Sequence, residues 1–131
     1  MEPMIMSTVI VSASAIMESS IRSIFHSLSS VRIIGSAAGC LSALQLVREE
    51  KPDMLVIDAN LPGQELKSLL QQIKQEGLAT RSLVVTATRE QERRAVAAGA
   101  DQVFPRYGSN DQLNAMVARL GRADHQGAGE S

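Results

Sequence analysis

Apolar residues recur along this chain in two rhythms that alternate from one end to the other. Thr8–Val11, Val31–Ile34, Met54–Ile57, Leu83–Thr86 and Val103–Phe104 are short, nearly unbroken apolar runs in which β-branched residues recur. Such runs read as strands buried on both faces, which implies a parallel sheet covered by helices. Between them the apolar positions fall at helical spacing. Ile16, Met17, Ile21, Ile24, Phe25 and Leu28 share one face, as do Leu41, Leu44 and Val47. Leu66, Leu69, Leu70 and Ile73 make a third face, and Leu113, Met116, Val117 and Leu120 line the last helix. A stripe of that kind predicts an amphipathic helix packed on a core.

The punctuation agrees with the periodicity. Ser12 or Ser14 supplies an N-cap for the first helix. Gly35 closes the second strand, and Pro52 stops the second helix after Arg48-Glu49-Glu50-Lys51. Thr88-Arg89-Glu90-Gln91 and Ser109-Asn110-Asp111-Gln112 have the form of capping boxes, while Gly77 and Gly99 end the third and fourth helices. Five strands alternating with five helices through short loops predict an α/β fold. Right-handed crossovers make it a doubly wound, flavodoxin-like parallel sheet of order 2-1-3-4-5. The predicted domain covers residues 1–120; residues 121–131, small and polar, are expected to form a flexible C-terminal tail.

That strand order places chemistry as well as structure. The first and third strands are neighbours at the switch point, where open α/β sheets bind their ligands. Asp58, at the end of the third strand, therefore shares a crevice with Ser12-Ala13, with Thr86 and Arg106 beside it. Each has a plainer reading. Asp58 suits a turn before Pro62-Gly63, Thr86 suits a β-branched strand position, and Ser12 and Ser14 suit caps.

Composition removes several function classes. The chain has 131 residues, 44% of them hydrophobic, enough for one core. A net charge of −1 supplies no basic field for nucleic acid or an anionic membrane. No apolar stretch approaches the roughly 20 residues a bilayer span needs, and Met1-Glu2-Pro3-Met4 lacks the charged-then-apolar order of a signal peptide. The lone Cys40 excludes an internal disulfide and suits a reducing cytoplasm. His26 and His125 have no ligand-spaced partners, so no zinc signature exists. With Phe25, Phe104 and Tyr107 as the only aromatics, a stacked flavin or nucleotide is poorly served. The loop Ser12-Ala13-Ser14 still offers a helix N-terminus to a phosphate, but lacks glycine.

With these residues assembled, the chain from Thr8 to about Leu120 resembles the receiver domain of bacterial two-component response regulators. The resemblance is carried by Asp58-Ala59-Asn60-Leu61-Pro62-Gly63, by Thr86-Ala87 after the fourth strand, and by Gly99-Ala100-Asp101 before the fifth. It implies that Asp58 is the phosphoacceptor, taking a phosphoryl group from a kinase phosphohistidine. It further implies that Thr86, Ala87 and Arg106 contact the phosphoryl oxygens.

Three departures qualify the resemblance. Ser12-Ala13 stands where an acidic pair holds Mg²⁺ in receivers, leaving Ser12, Ala13 and Asn60 as a degenerate metal pocket. Arg106-Tyr107 replaces the usual Lys-Pro, and Val103 takes the place of a switch aromatic. Phosphoryl transfer depends on positioning and on neutralising charge, and Mg²⁺ favours carboxylate ligands. Weak Mg²⁺ binding and slow or absent phosphorylation are therefore predicted. Loss of two carboxylates also relieves Asp58 of like-charge repulsion. Arg106 is then expected to pair with it, directly or through water.

The implied function is that of a receiver-like domain in a two-component phosphorelay, not an enzyme in the turnover sense. The alternative is a phosphorylation-independent interaction module, a pseudo-receiver. Implied partners are a sensor histidine kinase or phosphotransfer protein, with a possible homodimer through the fourth helix, fifth strand and fifth helix. Arg89, Arg93 and Arg94, alternating with Glu90 and Glu92, read first as a solvated face there. No nucleic acid or membrane contact is expected of this chain, and the expected location is the cytoplasm.

Overall fold

The computed structural model describes residues 5–130, with side chains as far as Gly121. Strands β1 (Met6–Val11), β2 (Val31–Ala37), β3 (Met54–Asp58), β4 (Arg81–Thr86) and β5 (Gln102–Pro105) alternate with five helices. These are α1 (Ala15–His26), α2 (Cys40–Glu50), α3 (Glu65–Gln75), α4 (Arg89–Ala98) and α5 (Asn110–Glu130). The strands form one parallel, flavodoxin-like sheet in the predicted order β2-β1-β3-β4-β5.

The unbroken apolar runs follow from that layering. Side chains alternate across a strand, so neighbours enter opposite cores. Leu55 and Ile57 pack with Leu44 and Val47 of α2, Leu69 and Ile73 of α3, and Ala95 of α4. Met54 and Val56 pack with Ile21 and Phe25 of α1, and with Leu113 and Val117 of α5. Each such side chain, fully buried, contributes about 1.5–3 kcal/mol. Only the edge strand β2 alternates between half-buried and exposed positions, and its exposed Arg32 blunts the edge.

Two matching clasps fix the register at the amino ends of the strands. Asp53 Oδ2 accepts from the Ser7 N–H at 2.9 Å and from its hydroxyl at 3.1 Å, tying β1 to β3. Asp101 Oδ2 does the same for the N–H and hydroxyl of Ser82, at 2.8 and 3.3 Å, tying β5 to β4. With both amino ends fixed, the carboxyl ends of β1, β3, β4 and β5 converge on one region.

Several expectations need correction. Gly35 does not close β2 but lies inside it. Thr8 pairs with Ile33 and Val9 with Gly35, so Ile34 is the extra residue of a bulge. Ser14, rather than Ser12, caps α1, accepting from the Met17 N–H at 3.2 Å. Ile16 and Leu41 satisfy the helical spacing, yet are 82% and 84% exposed. Both stand in first turns, whereas the buried faces begin later, at Ile21 and Ala43. The α5 helix runs to Glu130. Residues 1–4 and Ser131 lie outside the described residues. Among the described residues no helix is long and apolar enough to cross a membrane.

Candidate functional site

Asp58 ends β3 with its side chain 4% exposed. A buried carboxylate must find donors, and two come from neighbouring segments. Its Oδ2 accepts from the Ser12 hydroxyl at 2.9 Å, and its Oδ1 from the Asn60 N–H at 3.0 Å. Ser12 follows β1 and is itself buried. Its Oγ also lies 3.1 Å from the Ser14 carbonyl and accepts from the Ser14 N–H at 3.2 Å. The first loop is thus folded around the hydroxyl that holds Asp58.

Across the strand ends, Thr86 closes β4 with only 1% exposure, and its hydroxyl has no hydrogen-bond partner in the described structure. Its carbonyl accepts from the Arg106 N–H at 2.8 Å, which carries the β4–β5 pairing one residue past β5. Ala59 donates likewise to the Val85 carbonyl at 3.0 Å. These bonds bring the β3, β4 and β5 exits around a cavity of about 170 Å³, lined by Met17, Asp58, Asn60, Val85, Thr86, Ala87, Gln91 and Arg106.

Of the residues singled out in the sequence, Asp58, Asn60, Thr86, Ala87 and Arg106 line one cavity, and Ser12 touches it through Asp58. Ala13 is exposed and lines none of it. The direct Asp58–Arg106 ion pair is not formed. Arg106 is exposed, its Nη1 lies 3.7 Å from the Met17 sulfur, and no carboxylate pairs with it among the described residues. The reason is energetic. Asp58 already has a donor on each oxygen, and drawing a hydrated guanidinium into the pocket would add a desolvation cost.

Three lining residues, Met17, Val85 and Gln91, are not among the site residues the sequence singles out. Met17 had been assigned to the apolar face of α1. Gln91 had been read as half of a capping box, and the Thr88 hydroxyl does accept from its N–H, at 3.1 Å. Its side chain, however, passes over Thr88, and Oε1 accepts from the Ala87 N–H at 2.7 Å. Only the relation of loop to strand end reveals this, and no periodicity encodes it.

The nearby acids serve elsewhere. Glu18 pairs with Arg22 along α1, and Glu65 accepts from the Cys40 N–H at 2.8 Å, capping α2. No cluster of three or more metal-ligating His, Cys, Asp or Glu side chains occurs among the described residues. Burial and then the Glu65 charge hold Cys40 above the ordinary thiol pKa, which disfavours its thiolate. A larger cleft of about 400 Å³ between α3 and α4 contains neither carboxylate nor hydroxyl in its lining.

Comparison with known proteins agrees with this geometry. The family described as the response regulator receiver domain matches residues 8–118. Protein-glutamate methylesterase/protein-glutamine glutaminase 5 of Myxococcus xanthus is 32% identical over 89 residues, covering 68% of this chain and 26% of that protein. The corresponding enzyme 1 of Methanospirillum hungatei is 33% identical over 75 residues, 54% of this chain and 22% of that one. The chain thus spans about a quarter of the length of the curated relatives it matches. Among solved structures, a LuxR-family two-component response regulator from Aurantimonas has a TM-score of 0.76 at 25% identity, covering 89% of this chain and 86% of that one. The isolated receiver of RcsB from Salmonella enterica, solved with the phosphomimetic BeF₃⁻, has a TM-score of 0.73 at 16% identity, covering 90% and 89%, a likeness of fold alone. The match across nearly the whole sheet, with Asp58 and Thr86 at adjoining strand ends, makes this chain a member of the response regulator receiver domain family.

Proposed function

We propose that this receiver acts in two-component signalling with phosphoryl chemistry at Asp58 weakened by the loss of the metal's carboxylates. The observation that carries the reading is the 2.9 Å hydrogen bond from Ser12 to Asp58 Oδ2. In the implied reaction an Asp58 oxygen attacks the phosphorus of a phosphohistidine, forming an O–P bond as the N–P bond breaks. A hydroxyl donating to that oxygen draws density away from it and makes it a poorer nucleophile. Charge on the transferring oxygens would be met by the free Thr86 hydroxyl and the Arg106 guanidinium, which this chain supplies itself.

Magnesium is the ion that receivers hold, and when bound it neutralises phosphoryl charge. The residues present do not fit it. A hard octahedral ion favours carboxylate oxygens, and Asp58 is the one carboxylate in the cavity lining, with both oxygens engaged. We therefore assign Mg²⁺ binding as weak. The second reading, a phosphorylation-independent pseudo-receiver, is favoured by the same contact. Ser12 and the Asn60 N–H satisfy Asp58 with no ligand present.

Partners follow from the family and the surface. A histidine kinase or phosphotransfer protein would present the phosphohistidine in the cytoplasm. The face made by α4, β5 and α5 carries Tyr107, 72% exposed, and the exposed Val96, which suits a partner or a second copy. The Tyr107 hydroxyl reaches Glu92 of α4 at 3.4 Å and joins that face together.

The test is a titration with beryllofluoride and Mg²⁺, read by the amide shifts of Asp58 and Thr86. The wild type is expected to respond weakly. Ser12→Asp combined with Ala13→Asp is expected to tighten Mg²⁺ binding by about tenfold or more, ~1.4 kcal/mol. Unchanged affinity in the double variant would remove the metal-pocket reading, and a fully silent wild type would favour the pseudo-receiver.

A further inference from the structure

We propose that Gln91 is an internal occupant of the phosphoryl-oxygen position and sets how readily the pocket accepts an oxyanion. The proposal rests on reading the Asp58 cavity as the phosphoryl pocket. Its basis is the 2.7 Å hydrogen bond from the Ala87 N–H to Gln91 Oε1, made by a half-buried side chain that lines the same cavity as Asp58 and Thr86.

Helix capping does not account for this contact. In a capping box the glutamine returns to the N–H of the cap residue itself. Here it reaches one residue further back, to a loop N–H that lies outside the helix. The Thr88 hydroxyl already serves the helix by accepting from the Gln91 N–H. Ala87 is exposed, so water would satisfy its N–H at little cost if Gln91 were elsewhere.

The neighbouring donor supplies the contrast. Thr86 and Ala87 are adjacent and line one cavity, yet the Thr86 hydroxyl is left open while the Ala87 N–H is taken. An amide carbonyl oxygen carries partial negative charge and accepts as a phosphoryl oxygen does. The two compete for a single N–H. Giving up the neutral Gln91 hydrogen bond costs roughly a factor of two to ten in an equilibrium. An oxyanion that wins the Ala87 N–H also releases Gln91, and with it a tether between the β4–α4 loop and the first turn of α4.

The experiment uses the full chain with Ser12→Asp and Ala13→Asp, titrated with beryllofluoride and Mg²⁺ and read at the Thr86 and Ala87 amides. Adding Gln91→Ala is expected to lower the half-saturating concentration roughly two- to tenfold. Gln91→Glu, which keeps the acceptor, is expected to give no gain. In the wild-type chain, Gln91→Ala is also expected to speed hydrogen exchange at the Ala87 amide, a readout independent of any ligand. Thermal unfolding of each variant separates loss of fold from loss of the contact. A responsive background in which Gln91→Ala leaves half-saturation unchanged, or raises it, overturns the proposal alone. A background that never responds to beryllofluoride overturns the phosphoryl reading of the cavity, and this proposal with it.

Discussion

Ser12 at the exit of β1 and Thr86 at the exit of β4 flank Asp58 with the same functional group in opposite conditions. Both are buried, at 5% and 1% exposure. The Ser12 hydroxyl engages the Asp58 carboxylate and both the carbonyl and N–H of Ser14. The Thr86 hydroxyl engages no partner among the described residues. A buried hydroxyl without a partner costs about 1–3 kcal/mol, so the β4 side carries a penalty that the β1 side does not. The contrast separates two meanings of a polar residue in a pocket. On the β1 side the hydroxyl has become part of the fold. On the β4 side it has no partner among the described residues.

Substitution should split the two. Ser12→Ala strips Asp58 Oδ2 of its donor and leaves a buried carboxylate half-satisfied, and a loss of about 1–3 kcal/mol is expected. The shift of the urea midpoint measures it. Thr86→Val removes the unpaired hydroxyl while keeping the branched shape, and a gain of up to about 1 kcal/mol is expected in the same assay. If both variants lose stability alike, the Thr86 hydroxyl has a partner in solution and the asymmetry disappears. If Ser12→Ala loses nothing, the Ser12–Asp58 contact is not what holds the carboxylate.

The same pocket marks how far the sequence could be read. Met54–Ile57 announced a strand covered on both faces because no polar residue interrupts it, and Asp58 followed as the residue that ends it. Ser14, Thr88 and Ser109 were legible because a cap is local: each hydroxyl reaches an N–H three residues on. Strand order then gathered Ser12, Asp58, Thr86 and Arg106 with no contact in view. What escaped depends on where an element stands relative to its neighbours. Helical spacing gave Ile16 and Leu41 to the core face, but cannot say that the first turn precedes the covered part of the sheet. The direction taken by Arg106 depends on competition for Asp58, which Ser12 had already decided. Gln91 had the spacing of a cap and a reach that only the loop geometry explains.

The smallest expected effect lies at the other end of the molecule and serves as a control on the pocket. Arg48 at the end of α2 meets Glu76 at the end of α3 through two hydrogen bonds, one from its Nε at 2.9 Å. The bond from Arg48, aided by one from Gln72, lowers the Glu76 pKa from 4.5 to about 2. A carboxyl depressed on folding adds stability that is fully present above its unfolded value and lost as pH falls through the folded one. Here the loss therefore runs from about pH 4.5 down to about 2. Both side chains are solvent-exposed, so the contribution is small and screened, with a Debye length of about 3 Å in molar salt. Carboxyl NMR titration is expected to return Glu76 toward 4.5 in Arg48→Ala. High salt is expected to move it part of the way in the wild type. Neither change should disturb the amides of Asp58, Thr86 or Ala87. A shift there would mean that the α2–α3 contact and the pocket are coupled, and that stability changes at Ser12 and Thr86 report on more than their own hydroxyls.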